Sequence, residues 1–336
     1  MAPRLKTNPT IARLAADLHL RGSDDPSAAI VRFCRKKVEG FLSAFPCTTL
    51  TQLLETACAH LDTVFVEIHN DAQLRALEQQ YLARREHAFV NLGGQLGPEV
   101  FAITFALSNP EPYGRRFVSL IDCRGEKSHR AYFSKWHELA HLLTLTSQMR
   151  LRFCRTHVEP TQKDPEEALM DVIAGDLGFY APLVAQHSDG RLSFARIQQL
   201  RDELCPEASA LAATIGFAKA WSRPALLVQA RLATRKEHQR QGGFEFHTPP
   251  SMALRAVKVT INDEARRKGL VIPTNMRIPE TSVIHRTFVN GETLASAAED
   301  LSWWESQGRS LPASPVRVEA RRRHDYVEAL ITTPKG

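Results

Sequence analysis

The stretch Phe133-Ser134-Lys135-Trp136-His137-Glu138-Leu139-Ala140-His141-Leu142-Leu143 sets an H-E-x-x-H motif inside an apolar helical pattern. Tyr132, Phe133, Trp136, Leu139, Leu142 and Leu143 recur at helical spacing, which predicts a helix buried on one side. Histidines four apart share one helical face, so their imidazoles can grip a single metal ion. Glu138, beside the first histidine, can reach a water on that metal. Buried imidazoles with a carboxylate alongside need such a reason, because unpaired polar groups inside a protein cost free energy.

Upstream of this helix, which is predicted to start near Ser128, Val100–Leu107 and Phe117–Cys123 read as strands joined through the turn-rich Asn109–Gly114. Val64–Ile68 is a further strand candidate, followed by a charged helix from about Asp71 to Arg85. Asn91 to Pro98, rich in glycine, reads as a structure-breaking loop. Asp25–Phe45 has apolar residues at helical spacing until Pro46 ends it. Thr49 or Thr51 then offers a cap for a short helix carrying Leu53, Leu54 and Leu61. Downstream, a polar basic loop runs to Lys163. There Asp164-Pro165-Glu166 supplies an N-cap, a proline at the first position and an early acid for the next helix. Two more helices are predicted, around Phe194–Leu204 and Pro206–Trp221.

After Arg223-Pro224 the texture changes. Leu226–Leu232, Ala256–Ile261 and Val316–Ala320 read as strands, with Gly242-Gly243, Pro249-Pro250 and Gly308 between them, while Leu294–Trp304 reads as helical. The expected fold class is α+β. A mainly helical domain with a small β-sheet spans residues 1–224, and a mixed α/β domain spans 225–336.

Hydrophobic residues at 43% and charged residues at 24% are ordinary for a globular chain. No run of 18 apolar residues exists, so no membrane span is expected, and Met1–Thr10 lacks the apolar core of a secretory signal. The six cysteines, at 34, 47, 58, 123, 154 and 205, form no C-x-x-C pair and read as reduced thiols of a cytoplasmic protein. The net charge of +6 is uneven: Ala225–Gly336 holds 17 Lys+Arg against 12 Asp+Glu. That excess includes Arg266-Arg267-Lys268 and Arg321-Arg322-Arg323-His324. With the Trp303-Trp304 pair it raises the prospect of an anionic partner, single-stranded DNA included. A solvated basic surface and a Trp pair in the core are the plainer alternatives.

Catalytic zinc takes three protein ligands. Glu167, on the helix after the motif, is the candidate third ligand, with Glu166 as its competitor. Asp171 shares the face of Glu167 and can accept a hydrogen bond from the outer nitrogen of a ligating histidine, which fixes the tautomer. Glu138 is then the general base at the water that Zn2+ activates. Tyr180, His157 and His187 are candidate oxyanion donors. Cys123, at the end of its strand, is a candidate fourth zinc ligand, weighed against a buried inert thiol.

The run from Phe117–Cys123 through the H-E-L-x-H segment to Glu167, Asp171 and Ile173-Ala174-Gly175-Asp176-Leu177 resembles the ImmA/IrrE metallopeptidases over about residues 30–220. Asp171 stands where that family usually has asparagine, and its usual helix ending is replaced by Leu177-Gly178-Phe179-Tyr180-Ala181-Pro182. The resemblance implies a zincin-like first domain and cleavage of helix-turn-helix repressors in response to DNA damage or phage-related signals. A subgroup regulating antiphage (CBASS) operons carries an additional C-terminal GAF-like sensor domain, which suits a boundary near residue 224. A small-molecule or single-stranded DNA activator would act there. The competing reading is a non-catalytic regulator whose basic domain does the binding.

Overall fold

The computed structural model describes residues 5–20, 22–108, 110, 116–145, 152–156, 164–234, 252–306 and 308–334. It is an α+β fold that divides into two compact units. Met1–Tyr180 with Arg201–Ala212 form the first, and Ala181–Leu200 with Ala213–Gly336 the second. The expected division at residue 224 therefore assigns 181–200 and 213–224 differently from the structure.

The first unit opens with helices α1 (Pro9–Asp17), α2 (Pro26–Ala44) and α3 (Leu50–His60), then strand β1 (Thr63–Ile68) and helix α4 (Asp71–Ala83). The short α5 (Leu92–Gln95) lies inside the stretch that reads as a loop. Asn91, in the left-handed region at φ 58°, caps it by accepting from the Gly94 amide. Strands β2 (Val100–Ala106) and β3 (Phe117–Asp122), helix α6 (Ala131–Leu143), strand β4 (Arg152–Thr156) and helix α7 (Pro165–Leu177) follow. The four strands lie in the order β1-β3-β2-β4, with β1 parallel to β3 and the other pairs antiparallel. Most of the turn-rich Asn109–Gly114 falls outside the described residues, as do Gly242-Gly243 and Pro249-Pro250.

Local chemistry sets the helix ends. Asp164 accepts from the Glu166 amide at 2.7 Å with Pro165 in the first turn of α7. Of the two candidate threonines, Thr49 caps α3, in a reciprocal box with Gln52. Thr49→Ala is expected to cost about 1 kcal/mol of stability, read from the urea unfolding midpoint. Helix α6 starts at Ala131 rather than near Ser128, because Gly125–Arg130 forms a 3-10 turn before it.

Helix α6 packs against β2 and β3 on one side and against α7 on another, with α2 and α3 also in contact. Every residue from Ser134 to Leu143 is buried, so the helix is enclosed rather than one-sided. Its junction with α7 is tight. A Cβ on Gly178 would come within 3.0 Å of the Trp136 indole, and the Tyr132 hydroxyl donates to the Gly178 carbonyl. Residues Pro165–Ala185 are long and apolar enough to cross a membrane by length and composition, yet over half of that apolar window is buried inside the fold.

The second unit contains helix α8 (Ala181–Ala185) and parts of α9 (Phe194–Leu204) and α10 (Ala210–Ala220), followed by strands β5 (Ala225–Ala233) and β6 (Ala253–Ile261). Helices α11 (Asp263–Arg267) and α12 (Val283–Asn290), strand β7 (Leu294–Asp300), a two-residue pair β8 (Glu305–Ser306) and β9 (Arg309–Ser310), and strands β10 (Pro315–Arg322) and β11 (Val327–Thr332) follow. The main sheet runs β6-β5-β11-β10-β7, antiparallel throughout. Its inner residues, including Val228, Val318, Ala329 and Ile331, form a core with Ile284 of α12 and Trp304.

The helical reading of Leu294–Trp304 is corrected: it is a strand and a 3-10 turn. Ala295, Ala297 and Glu299 alternate toward the sheet's inner face, and pairing with β10 decides the conformation. Glu299 uses its buried carboxylate to accept from the Val283 amide at 2.7 Å, holding the start of α12.

Candidate metal centre

Helices α6 and α7 bring three ligand atoms together. His137 Nε2 lies 3.1 Å from Glu167 Oε2, His141 Nε2 lies 3.3 Å from Glu167 Oε1, and the two Nε2 atoms are 3.2 Å apart. The histidines sit one turn apart on α6, and Glu167, in the first turn of α7, faces both. Asp171, one turn along α7, lies with Oδ1 2.8 Å from His137 Nδ1. An Nδ1–H donated to that carboxylate leaves the lone pair of neutral His137 on Nε2. That lone pair then faces a carboxylate oxygen and a second imidazole nitrogen, an arrangement of acceptors that a cation between them resolves. His137, His141 and Glu167 are a buried group that can hold a metal ion.

Burial alone would raise the Glu167 carboxyl, but hydrogen bonds and charge from the two histidines outweigh it and hold the group well below the usual carboxylate range. Glu166, the competing ligand, is outside the group; burial pushes its carboxyl up, only partly offset by His141.

Glu138 is fully buried, on the sheet side of α6. Thr104 of β2 donates to its Oε2 at 2.6 Å, and Thr104 is bonded in turn to Ser119 of β3 at 2.7 Å. Among the described residues its Oε1 has no hydrogen-bond partner. Burial pushes the Glu138 carboxyl up, with the two histidines and Thr104 pulling the other way. The only trace that Thr104 and Ser119 leave in the sequence is a hydroxyl between apolar neighbours in a strand.

Two candidates lie elsewhere. Tyr180 is placed with its hydroxyl against Glu39 of α2, and burial next to that acid pushes its phenol up to about 12. Glu167 opens α7 and Tyr180 follows its end, so about 15 Å of helix separates Tyr180 from the ligand group. Cys123 falls into a different cluster, with Glu67 and His69, because β1 and β3 are parallel neighbours with Ile68 opposite Asp122. Burial, and secondarily Glu67, push its thiol up to about 11. His187 belongs to the second unit, and His157 lies outside the described residues.

Nothing in the sequence singles out Lys135. On α6, its side chain is buried, with the ammonium 2.6 Å from Glu67 and 2.7 Å from Glu207. Burial lowers its pKa, but the two carboxylates more than compensate and keep the lysine protonated.

In the second unit the basic clusters are partly consumed internally. Arg321 and Arg323 both pair with the buried Glu328, and Arg322 bonds the Phe288 carbonyl. Trp304 is core, whereas Trp303 is 45% exposed. Arg266, Arg267 and Lys268 remain at the surface. A cleft of about 380 Å³ is lined by Arg191, Arg223 and Lys268 together with Trp221 and Thr332, with no acidic residue in its lining among the described residues. No protein-family model matches the chain, and no curated protein matches it in sequence.

Proposed function

We propose that the chain is a cytoplasmic zinc-dependent endopeptidase of the ImmA/IrrE kind, with a zincin-like first unit and a GAF-like sensor in the second. Its substrate would be a helix-turn-helix repressor, cleaved in response to DNA damage or phage infection so that a defence operon is derepressed. One observation carries this reading: three ligand atoms converge from two helices, with a buried carboxylate on the residue next to the first histidine. Two imidazoles and a carboxylate are a donor set that catalytic zinc uses, and three protein ligands is its usual number. A structural zinc site tends to close with a fourth protein ligand and has no use for an adjacent base.

When bound, zinc would supply Lewis-acid polarisation of a peptide carbonyl and a lowered pKa for water. His137 and His141 would hold it with neutral imidazoles, the first kept in its tautomer by Asp171. Glu138 Oε1 accepts the proton of the attacking water and delivers it to the departing amine nitrogen. Thr104 holds Oε2, so the carboxylate stays oriented during that transfer. Asp171→Asn is expected to weaken zinc affinity by about 10- to 100-fold, measured by competition with a chromophoric chelator.

The test is to incubate the zinc-loaded chain with helix-turn-helix repressors, with and without chelator, and to compare cleavage with zinc content by elemental analysis. Cleavage abolished by the chelator and restored by zinc supports the reading. Intact repressor despite bound zinc, with single-stranded DNA present and absent, would remove the peptidase.

The basic cleft of the second unit favours a second reading, a non-catalytic regulator that binds an anion through Arg191, Arg223 and Lys268. Under the first reading the same cleft is a place for an activating ligand. Cleavage that responds to that ligand distinguishes the two.

A further inference from the structure

At the ends of β1 and β3, a carboxylate, an imidazole and a thiol meet outside the H-E-x-x-H group. One ligand atom from each of Glu67, His69 and Cys123 lies within 4.8 Å of the other two, and Glu67 Oε2 is 3.3 Å from His69 Nε2. Glu67 and His69 lie together at the end of β1, whereas Cys123 follows β3, more than fifty residues along the chain. Parallel pairing of β1 with β3, with Glu67 opposite Ile121 and Ile68 opposite Asp122, brings them together. Oxygen, nitrogen and sulfur donors in one cluster match the preference of zinc and related borderline metals rather than of magnesium or calcium.

The site also has access and a suitable charge. The His69 side chain is 55% exposed, opening a path from solvent, while Cys123 is buried at the back. Glu67 and Glu207 flank the single ammonium of Lys135, so the cluster with a protonated thiol carries an excess negative charge. A divalent ion that forms a metal–sulfur bond and releases the thiol proton to solvent brings that cluster to neutrality. Lys135 keeps Glu207 as its partner if Glu67 turns to the metal.

We propose that Glu67, His69 and Cys123 form a second transition-metal site, of zinc type, separate from His137, His141 and Glu167. The proposal does not depend on peptidase activity. It also gives Cys123 a metal, though not the one at the H-E-x-x-H helix.

Cobalt(II) tests it directly, because a sulfur-to-cobalt charge-transfer band in the near ultraviolet requires a thiolate ligand, and the H-E-x-x-H group contains none. The full chain, stripped of metal by chelator dialysis, is titrated with cobalt(II) while absorbance and bound metal are followed. The expected result is a charge-transfer band that disappears in Cys123→Ser and in His69→Ala and persists in His141→Ala. Each of the first two variants should also lose one bound ion per chain. His69 is exposed, so its variant stays informative even where Cys123→Ser fails to fold. Absence of the band in the wild-type chain overturns the proposal, as does a band surviving Cys123→Ser. A band lost in His141→Ala but kept in His69→Ala would return Cys123 to the first metal and equally overturn it.

Discussion

Glu138→Gln is expected to lower repressor cleavage by about 10²- to 10⁴-fold while leaving the zinc content of the chain unchanged. The neutral amide has nearly the same size as the carboxylate, and its oxygen can still accept from Thr104, which now bonds Oε2 at 2.6 Å. What it loses is the capacity to take a proton. The other carboxylate oxygen is buried and has no hydrogen-bond partner among the described residues, the placement expected of a base reserved for substrate water. The predicted loss corresponds to roughly 3–5 kcal/mol of transition-state stabilisation. Initial cleavage rates, with elemental analysis of the same samples, check it. A variant that keeps both its metal and its activity would refute Glu138 as the base.

Trp136→Ala is expected to destabilise the first unit by about 3–5 kcal/mol, a large share of the stability of an ordinary domain. The side chain is fully buried and is the largest such group on α6. It lies against Gly178, where a Cβ would be 3.0 Å from the indole and 2.8 Å from the Ala174 carbonyl. Close approach of this kind leaves little slack for neighbours to fill the space vacated by an indole. Trp136 also immediately precedes His137, so the loss should appear twice: as a lower urea midpoint and as weaker metal retention. Urea unfolding with and without chelator measures both. An unchanged midpoint would mean that the α6–α7 contact contributes little.

What sequence makes legible is whatever local pattern controls. Asp164-Pro165-Glu166 announces the start of α7 because a cap, a fixed φ and a helix dipole act within one turn. The histidine pair is legible for the same reason: four-residue spacing puts His137 and His141 on one face wherever that helix sits. Features decided by distant partners are not. Strand β4 lies within a stretch that reads as loop, and its conformation is set by pairing with β2. Leu294–Asp300 reads as helical until β10 lies beside it. Lys135 finds Glu67 and Glu207 from far along the chain, and Cys123 finds His69 only once β1 and β3 are parallel neighbours. The division into two units is hidden because α9 and α10 each supply residues to both.

Because α6 is wrapped on every side, its amide hydrogens should be among the last to exchange with deuterated solvent, yielding only when the whole unit opens. The imidazoles at 137 and 141 would thus ride on a slowly exchanging segment, while Glu167 sits in the first turn of a neighbouring helix, where fraying is easier. Ion escape would then begin with departure of the carboxylate arm, long before the histidine pair parts company.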